Sequence, residues 1–199
     1  MQFTSDNIPV IIHDRAINRT ARNNNGTQLS TTINIDSITY AQALTYDFGI
    51  YKSSAYAGTR IPSFEQMIIL CRNIGLNVRA ELKDTVTTSK LSILMDIVKK
   101  YDMEDHVEWI SFDLSLLQFL STSYPTANVG YIVSTISSSV ISDTVALRTG
   151  NNIVRLSAAL PNLTDALIDL VAAQNIPLDT WTITLDSQII NADSYISSL

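Results

Sequence analysis

The sequence predicts an α/β fold with a parallel sheet, and three observations support this prediction. From residue 77 onward, five segments with strand character each precede a segment with helix character. The chain has 199 residues, fewer than the roughly 250 of a complete eight-fold β/α barrel. No linker, charge block or low-complexity tract divides it, so we predict a single domain over residues 1–199.

The beginning of the chain has few regular elements. Residues 9–12 are predicted to form a short strand because they are an apolar run that follows a turn. Residues 14–60 are mostly irregular, and within them Ser37 to Phe48 is predicted as one helical piece.

The first long helix is predicted from its end signals. Ser63 is placed as the N-cap, and Gln66 three residues later completes a capping box. Gly75 ends this helix. A strand follows at residues 77–83, and an amphipathic helix follows at residues 88–101.

The second half alternates regularly between strands and helices. The predicted strands are rich in β-branched and aromatic residues and cover 107–112, 128–133, 153–157 and 179–185. The predicted helices cover 114–122, 143–149 and 164–174, with a last piece at 186–198.

Composition excludes several classes of protein. Hydrophobic residues make up 46% of the chain, too many for a disordered protein, and the net charge of −6 argues against nonspecific nucleic-acid binding. No apolar run approaches the ~18 residues of a membrane span. The N-terminus MQFTSDNIPV shows no signal peptide, so cytoplasmic is the default expectation. Residues 1–100 contain eleven basic and eight acidic residues, so an anion site is expected in the first half of the chain.

The strand at residues 77–83 carries the most informative pattern. Its side chains alternate, which places three charged residues on one face: Arg79, Glu81 and Lys83. Both faces of a parallel sheet are normally covered, so these charges are costly unless they meet a ligand, a metal or each other. An exposed strand with a solvated polar face is the open alternative.

His13 ends another apolar strand in the same way. Histidine is a common acid–base residue, which makes His13 a candidate for that role, and a purely structural histidine is the alternative. The sequence contains no phosphate-cradling glycine loop, no paired-cysteine metal site and no nucleophile elbow.

Six short motifs follow one another along residues 3–185. They are TSDNIPVIIHD at 4–14, IPSFE at 61–65, AELK at 80–83, ISFD at 110–113, Pro125 with Gly130, and TWT at 180–182. In this order they resemble the motifs of the glycerophosphodiester phosphodiesterase family. Six modest motifs in the correct order are together fairly specific.

The resemblance implies a function and roles for four residues. Members of this family are metal-dependent hydrolases on a (β/α)₈ barrel that cleave glycerophosphodiesters to an alcohol and glycerol 3-phosphate. By resemblance, His13 protonates the leaving alcohol oxygen and Glu81 ligates Mg²⁺ or Ca²⁺. Lys83 holds the phosphate oxygens, and Trp181 packs against the glycerol end of the substrate.

The chain departs from the family pattern at both ends. The family begins with a strand carrying H-R-G, a helix and a strand carrying E-x-D, and this sequence shows none of them. The final G-V-D-G-I-x-T-D strand is also missing, although residues 195–197 would be its beginning. The resemblance therefore implies an incomplete (β/α)₈ TIM barrel lacking its first strand–helix unit and last strand. Its open edges favour pairing with a second copy of the chain.

Three functional hypotheses follow. The first is a phosphodiesterase that acts on a small glycerophosphodiester; this chain is then a fragment of it or has a misplaced start, so that its activity is impaired in this chain. The second is a catalytically degenerate member of the family that acts as a ligand-binding or interaction module. The third is an unrelated α/β barrel with chance motifs. The first two require His13, Glu81 and Lys83 to converge on one hollow.

Overall fold

The computed structural model of the protein describes residues 1–181. Contacts between residues divide the chain into two compact units, Met1–His106 and Val107–Leu199. The single domain over residues 1–199 stays a prediction. The predicted last piece at 186–198, the segment 195–197 and the end of the strand at 179–185 lie outside the described residues.

The first unit combines a short hairpin-like pair of strands with helices and one longer strand. Strands β1 and β2 are antiparallel, with Gln2 opposite Val10. The regular elements are β1 (Gln2–Phe3), β2 (Pro9–Val10), α1 (Tyr40–Ala43), α2 (Phe64–Ile74), β3 (Val78–Glu81) and α3 (Thr88–Lys100). Four 3₁₀ turns accompany them, at Ile17–Arg19, Ile35–Ser37, Ser54–Tyr56 and Glu104–His106.

The helix predicted from Ser37 to Phe48 was wrong as a single piece. A 3₁₀ turn ends at Ser37, and Ile38 is extended, with φ −126° and ψ 151°. Thr39 then caps the new helix α1, because its side chain and that of Gln42 form a reciprocal capping box. This local hydrogen bonding competes successfully with a continuous helix.

Helix α2 begins where the sequence predicted. The Ser63 hydroxyl accepts from the Gln66 amide at 3.1 Å, and the Gln66 side chain accepts from the Ser63 amide at 2.9 Å. Gly75 ends the helix with φ +69°, a left-handed conformation that glycine adopts without steric cost. Both predicted end signals are therefore confirmed.

The irregular stretch between β2 and α2 has its own apolar core. Its fully buried members are Val10, Ile17, Ala21, Ile35, Ala43 and Ile61. Asp47 is 3% exposed, and its carboxylate accepts from the amides of Gly49 at 2.8 Å, Ile50 at 2.9 Å and Gly58 at 2.5 Å. This carboxylate satisfies donors that the loop backbone cannot satisfy by itself, and it fixes residues 47–60, the Asp47 loop.

Substituting Gly49 by alanine is expected to destabilise the first unit. A Cβ at this position would lie 2.0 Å from the Tyr56 carbonyl oxygen, so the backbone has to move. We expect a loss of about 1–3 kcal/mol in the free energy of unfolding, measured by denaturant titration. Ala57→Ser, at an exposed position of the same loop, is the control. An unchanged unfolding midpoint for Gly49→Ala would contradict the described packing.

The second unit is a regular succession of parallel strands and helices. Within residues 107–181, four strands pair in chain order: β4 (Val107–Ser111), β5 (Asn128–Val133), β6 (Val154–Ala159) and β7 (Leu178–Trp181). The helices between them are α4 (Leu114–Ser123), α5 (Ser138–Ala146) and α6 (Asp165–Ala172). None of the described helices is long and apolar enough to cross a membrane.

The helix predicted at 143–149 was displaced. Helix α5 begins at Ser138, because the Ser137 side chain accepts from the Val140 amide and caps it. The serine-rich segment therefore forms the first half of this helix. The other strands and helices of the described second unit lie within a few residues of their predicted bounds.

Candidate active site

The candidate site in the first unit is built on strand β3 and the residues that follow it. The buried face carries Val78, Ala80 and Leu82, each at most 5% exposed, as the alternating pattern predicted. The other face presents Glu81 and Lys83, whose side chains are 24% and 15% exposed. Both groups are thus accessible and partly shielded from water.

The structure brings His13, Glu81 and Lys83 together. The Lys83 ammonium donates to Glu81 Oε1 at 2.8 Å and lies 3.5 Å from His13 Nε2. An ammonium and an imidazole nitrogen at this distance can contact neighbouring oxygens of one phosphate group. The roles that the sequence assigns to these residues stay predictions.

Asp14 and Arg19 orient the imidazole of His13. Asp14 accepts from Arg19 Nε and contacts His13 Nδ1 at 2.7 Å, and these two hydrogen bonds lower the pKa of Asp14 to about 2. Because a charged carboxylate only accepts, Nδ1 carries the proton and Nε2 faces Lys83. The depressed pKa keeps Asp14 charged at neutral pH, and these contacts weaken only as the pH falls towards 2.

A buried glutamine joins the two segments of the site. Gln2 is fully buried; its amide nitrogen donates to the His13 carbonyl at 3.4 Å. Its side-chain oxygen accepts from the amide and the hydroxyl of Thr85, at 3.1 and 2.9 Å. Gln2 therefore links the residue that carries the imidazole to the turn that follows Lys83. Gln2 was not among the predicted site residues, because no local sequence pattern marks a glutamine as buried.

Glu81 is predicted to ligate Mg²⁺ or Ca²⁺, and a metal site requires further ligands beside it. Among residues 1–181, no group of three or more His, Cys, Asp or Glu side chains is arranged to hold a metal ion. The Glu81 carboxylate is hydrogen-bonded to Lys83, a cation. Because Mg²⁺ and Ca²⁺ require about six oxygen ligands, the described donor set does not fit such an ion.

Trp181 lies in the second unit, on β7. Its indole N–H donates to the Val133 carbonyl at 3.3 Å, and its ring meets Phe112 edge to face with centroids 5.5 Å apart. Phe112 follows β4 directly and is 49% exposed. The pair forms an aromatic surface at the carboxyl ends of two strands, where β/α barrels bind substrates. Sequence analysis singled out Trp181 and not Phe112, although Phe112 belongs to the ISFD motif.

The second unit is an α/β arrangement of parallel strands and helices, and the first unit brings an imidazole, a carboxylate and an ammonium within hydrogen-bonding range. The model of the glycerophosphoryl diester phosphodiesterase family matches residues 1–196. The chain therefore belongs to the glycerophosphoryl diester phosphodiesterase family, whose members generally use a divalent metal ion. The resemblance found in the six motifs is confirmed.

Solved structures support the same fold. A protein from Silicibacter pomeroyi DSS-3 assigned as a glycerophosphoryl diester phosphodiesterase is similar with a TM-score of 0.86 and 18% identity, over 97% of this chain and 74% of that one. A phosphodiesterase from Oleispira antarctica, in complex with the product sn-glycerol-3-phosphate, is similar with a TM-score of 0.84 and 20% identity, over 98% and 75% of the two chains.

A third structure agrees. A glycerophosphodiester phosphodiesterase from Parabacteroides distasonis is similar with a TM-score of 0.75 and 16% identity, over 98% of this chain and 73% of that one. No curated protein sequence matches the chain significantly. These likenesses confirm the predicted fold class, an α/β partial barrel.

Proposed function

We propose that this protein hydrolyses glycerophosphodiesters to an alcohol and glycerol 3-phosphate. The observation that carries the proposal is the approach of His13 Nε2 to Lys83 Nζ, at 3.5 Å, beside Glu81. The product-bound structure from Oleispira antarctica supports the same substrate class. In this reaction water adds across the P–O bond: phosphorus gains the hydroxyl, and the departing oxygen gains a proton.

Each residue of the cluster has a distinct task. In its doubly protonated form, His13, held through Nδ1 by Asp14, delivers the Nε2 proton to the leaving oxygen and keeps the Nδ1 proton. Lys83 places its positive charge against the non-bridging phosphate oxygens, where negative charge increases in the transition state. Glu81 is a positioning residue in this scheme, because its hydrogen bond at 2.8 Å holds the Lys83 ammonium in place.

Several predictions from the family resemblance remain part of the proposal. They are dependence on Mg²⁺ or Ca²⁺, the role of Glu81 as a ligand, the contact of Trp181 with the glycerol end, and pairing of two chains through open barrel edges. The contacts described above assign none of these roles, so no chemical step relies on them.

A second candidate function is a ligand-binding module without turnover. One observation favours it: no set of three metal-ligating side chains occurs within residues 1–181, and Lys83 engages the Glu81 carboxylate. Such a module would bind the phosphate of a glycerophosphodiester through Lys83 and leave the ester intact.

Release of glycerol 3-phosphate from glycerophosphoethanolamine separates the two functions. The 199-residue chain is assayed with Mg²⁺ or Ca²⁺ and again with an excess of chelator. We expect glycerol 3-phosphate to be released, and a fall of ~10²-fold or more with chelator would support the metal dependence that the family resemblance implies. Binding of the diester without release would instead support the module. A rate that the chelator leaves unchanged would contradict metal dependence.

A further inference from the structure

A hollow of about 320 Å³ in the first unit borders the candidate active site. Its lining includes Ile12, His13, Arg19, Phe48, Tyr51 and Arg60. A volume of this size accommodates a small polar ligand. His13 belongs both to this lining and to the cluster with Lys83, so the hollow begins at the imidazole.

The position of the hollow determines which part of a substrate would enter it. In the proposed function, His13 protonates the leaving oxygen, so that oxygen lies within hydrogen-bonding distance of the imidazole. The carbon chain attached to the oxygen then extends from the imidazole, which lines the hollow, whereas Lys83 is not among the lining residues. The hollow is thus placed to receive the leaving alcohol.

The two guanidinium groups of the hollow differ in their partners. Arg19 forms a bidentate hydrogen bond with Asp14, and the carboxylate largely offsets the charge of the guanidinium. Arg60 Nη1 donates to Asn24 Oδ1 at 3.0 Å and to the Tyr46 carbonyl at 2.7 Å, and both acceptors are neutral. Among residues 1–181, Arg60 makes no ion pair; it is exposed, and its charge helps to lower the pKa of the buried Asp47 carboxyl group.

The Asp47 loop fixes the position of the Arg60 charge. Arg60 lies at the end of the loop that the buried Asp47 carboxylate organises through the Gly49, Ile50 and Gly58 amides. Tyr51, on the same loop, packs its ring against the Arg22 guanidinium at 5.9 Å. A positioned, exposed guanidinium whose hydrogen bonds go to neutral acceptors suits a carboxylate or a phosphate.

We propose that this hollow is the subsite for the leaving alcohol and that it selects alcohols with an anionic substituent, which Arg60 binds. The assignment rests on the proposed function, since it places the leaving oxygen at His13. It makes Arg60 the residue that determines head-group preference, while His13 and Lys83 act on the phosphate common to all substrates.

Two diesters that differ by one carboxylate test the proposal. Glycerophosphoserine and glycerophosphoethanolamine share the phosphate and the ammonium, and only the first carries a carboxylate. We expect the full chain to bind glycerophosphoserine about tenfold more tightly than glycerophosphoethanolamine in calorimetric titrations. A charge-assisted hydrogen bond between Arg60 and the carboxylate accounts for a difference of this size. Arg60→Gln should abolish this preference, Arg60→Lys should restore part of it, and Arg72→Gln on α2 should leave it unchanged.

The outcomes distinguish failure of the subsite from failure of the proposed function. If both diesters bind equally well to the unsubstituted chain, or if Arg60→Gln keeps the tenfold preference, the subsite assignment is wrong and the proposed hydrolysis stands. If neither diester binds, both are wrong. Thermal unfolding of Arg60→Gln shows whether the Asp47 loop survives the loss of the contact with Asn24. Arg60→Lys keeps the charge and provides the second measurement if it does not.

Discussion

His13→Ala is expected to slow release of glycerol 3-phosphate by ~10²–10⁴-fold, the usual contribution of a positioned proton donor. The His13 side chain is 68% exposed, so its removal should have little effect on the free energy of unfolding. The measurement is the initial rate with saturating glycerophosphoethanolamine, together with a thermal unfolding curve.

The chain provides a matched control in its other histidine. His106 contacts Asn77 Oδ1 at 2.8 Å, on a turn that contains none of the proposed site residues, so His106→Ala should retain the rate of the unsubstituted chain. Equal rates for His13→Ala and the unsubstituted chain would contradict the assignment of His13 as the acid.

Lys83→Met is expected to lower the same rate by ~10²–10³-fold, comparable to the loss of one donor to a developing negative charge. Methionine keeps most of the volume and removes only the ammonium. Lys99→Met, at an exposed position of the last turn of α3, is the control for the loss of one positive charge.

The Glu81 carboxylate complicates this experiment, because Lys83→Met leaves it partly buried without its cationic partner. The double variant Glu81→Gln with Lys83→Met resolves the ambiguity. If the rate returns to that of the unsubstituted chain, the defect of Lys83→Met came from the unpaired carboxylate, and Lys83 does not act on the phosphate. A rate that stays low supports the proposed role.

Elements whose signals are local could be predicted from the sequence. The reciprocal cap at Ser63 and the terminal Gly75 depend on neighbours within one helical turn, and the structure has both. The alternation along residues 77–83 predicted which face of β3 is buried for the same reason. The conformation around Ile38 was missed because a capping box at Thr39 outweighs the helix propensity of the surrounding residues.

Contacts between distant segments could not be predicted in this way. The Gln2 side chain accepts a hydrogen bond from Thr85, 83 positions along the chain. The Asp47 carboxylate accepts from backbone amides up to 11 positions away. Neither residue carries a periodic or motif-like signal. Asp14 lies within the first family motif, yet only the coordinates show that Asp14 contacts His13 and that Arg19 holds Asp14. Reacting groups can therefore be predicted from a sequence more readily than the groups that orient them.

Anchoring the Asp47 loop from within has an evolutionary consequence. Residues 51–60 are all exposed, whereas the hydrogen bonds that shape the loop converge on a carboxylate that is 3% exposed. Side chains on the outside can therefore diversify without disturbing the scaffold that displays them. Under selection for new head-group preferences, in nature or in the laboratory, substitutions should accumulate among the exposed residues 51–60, while Asp47 and Gly49 stay constant.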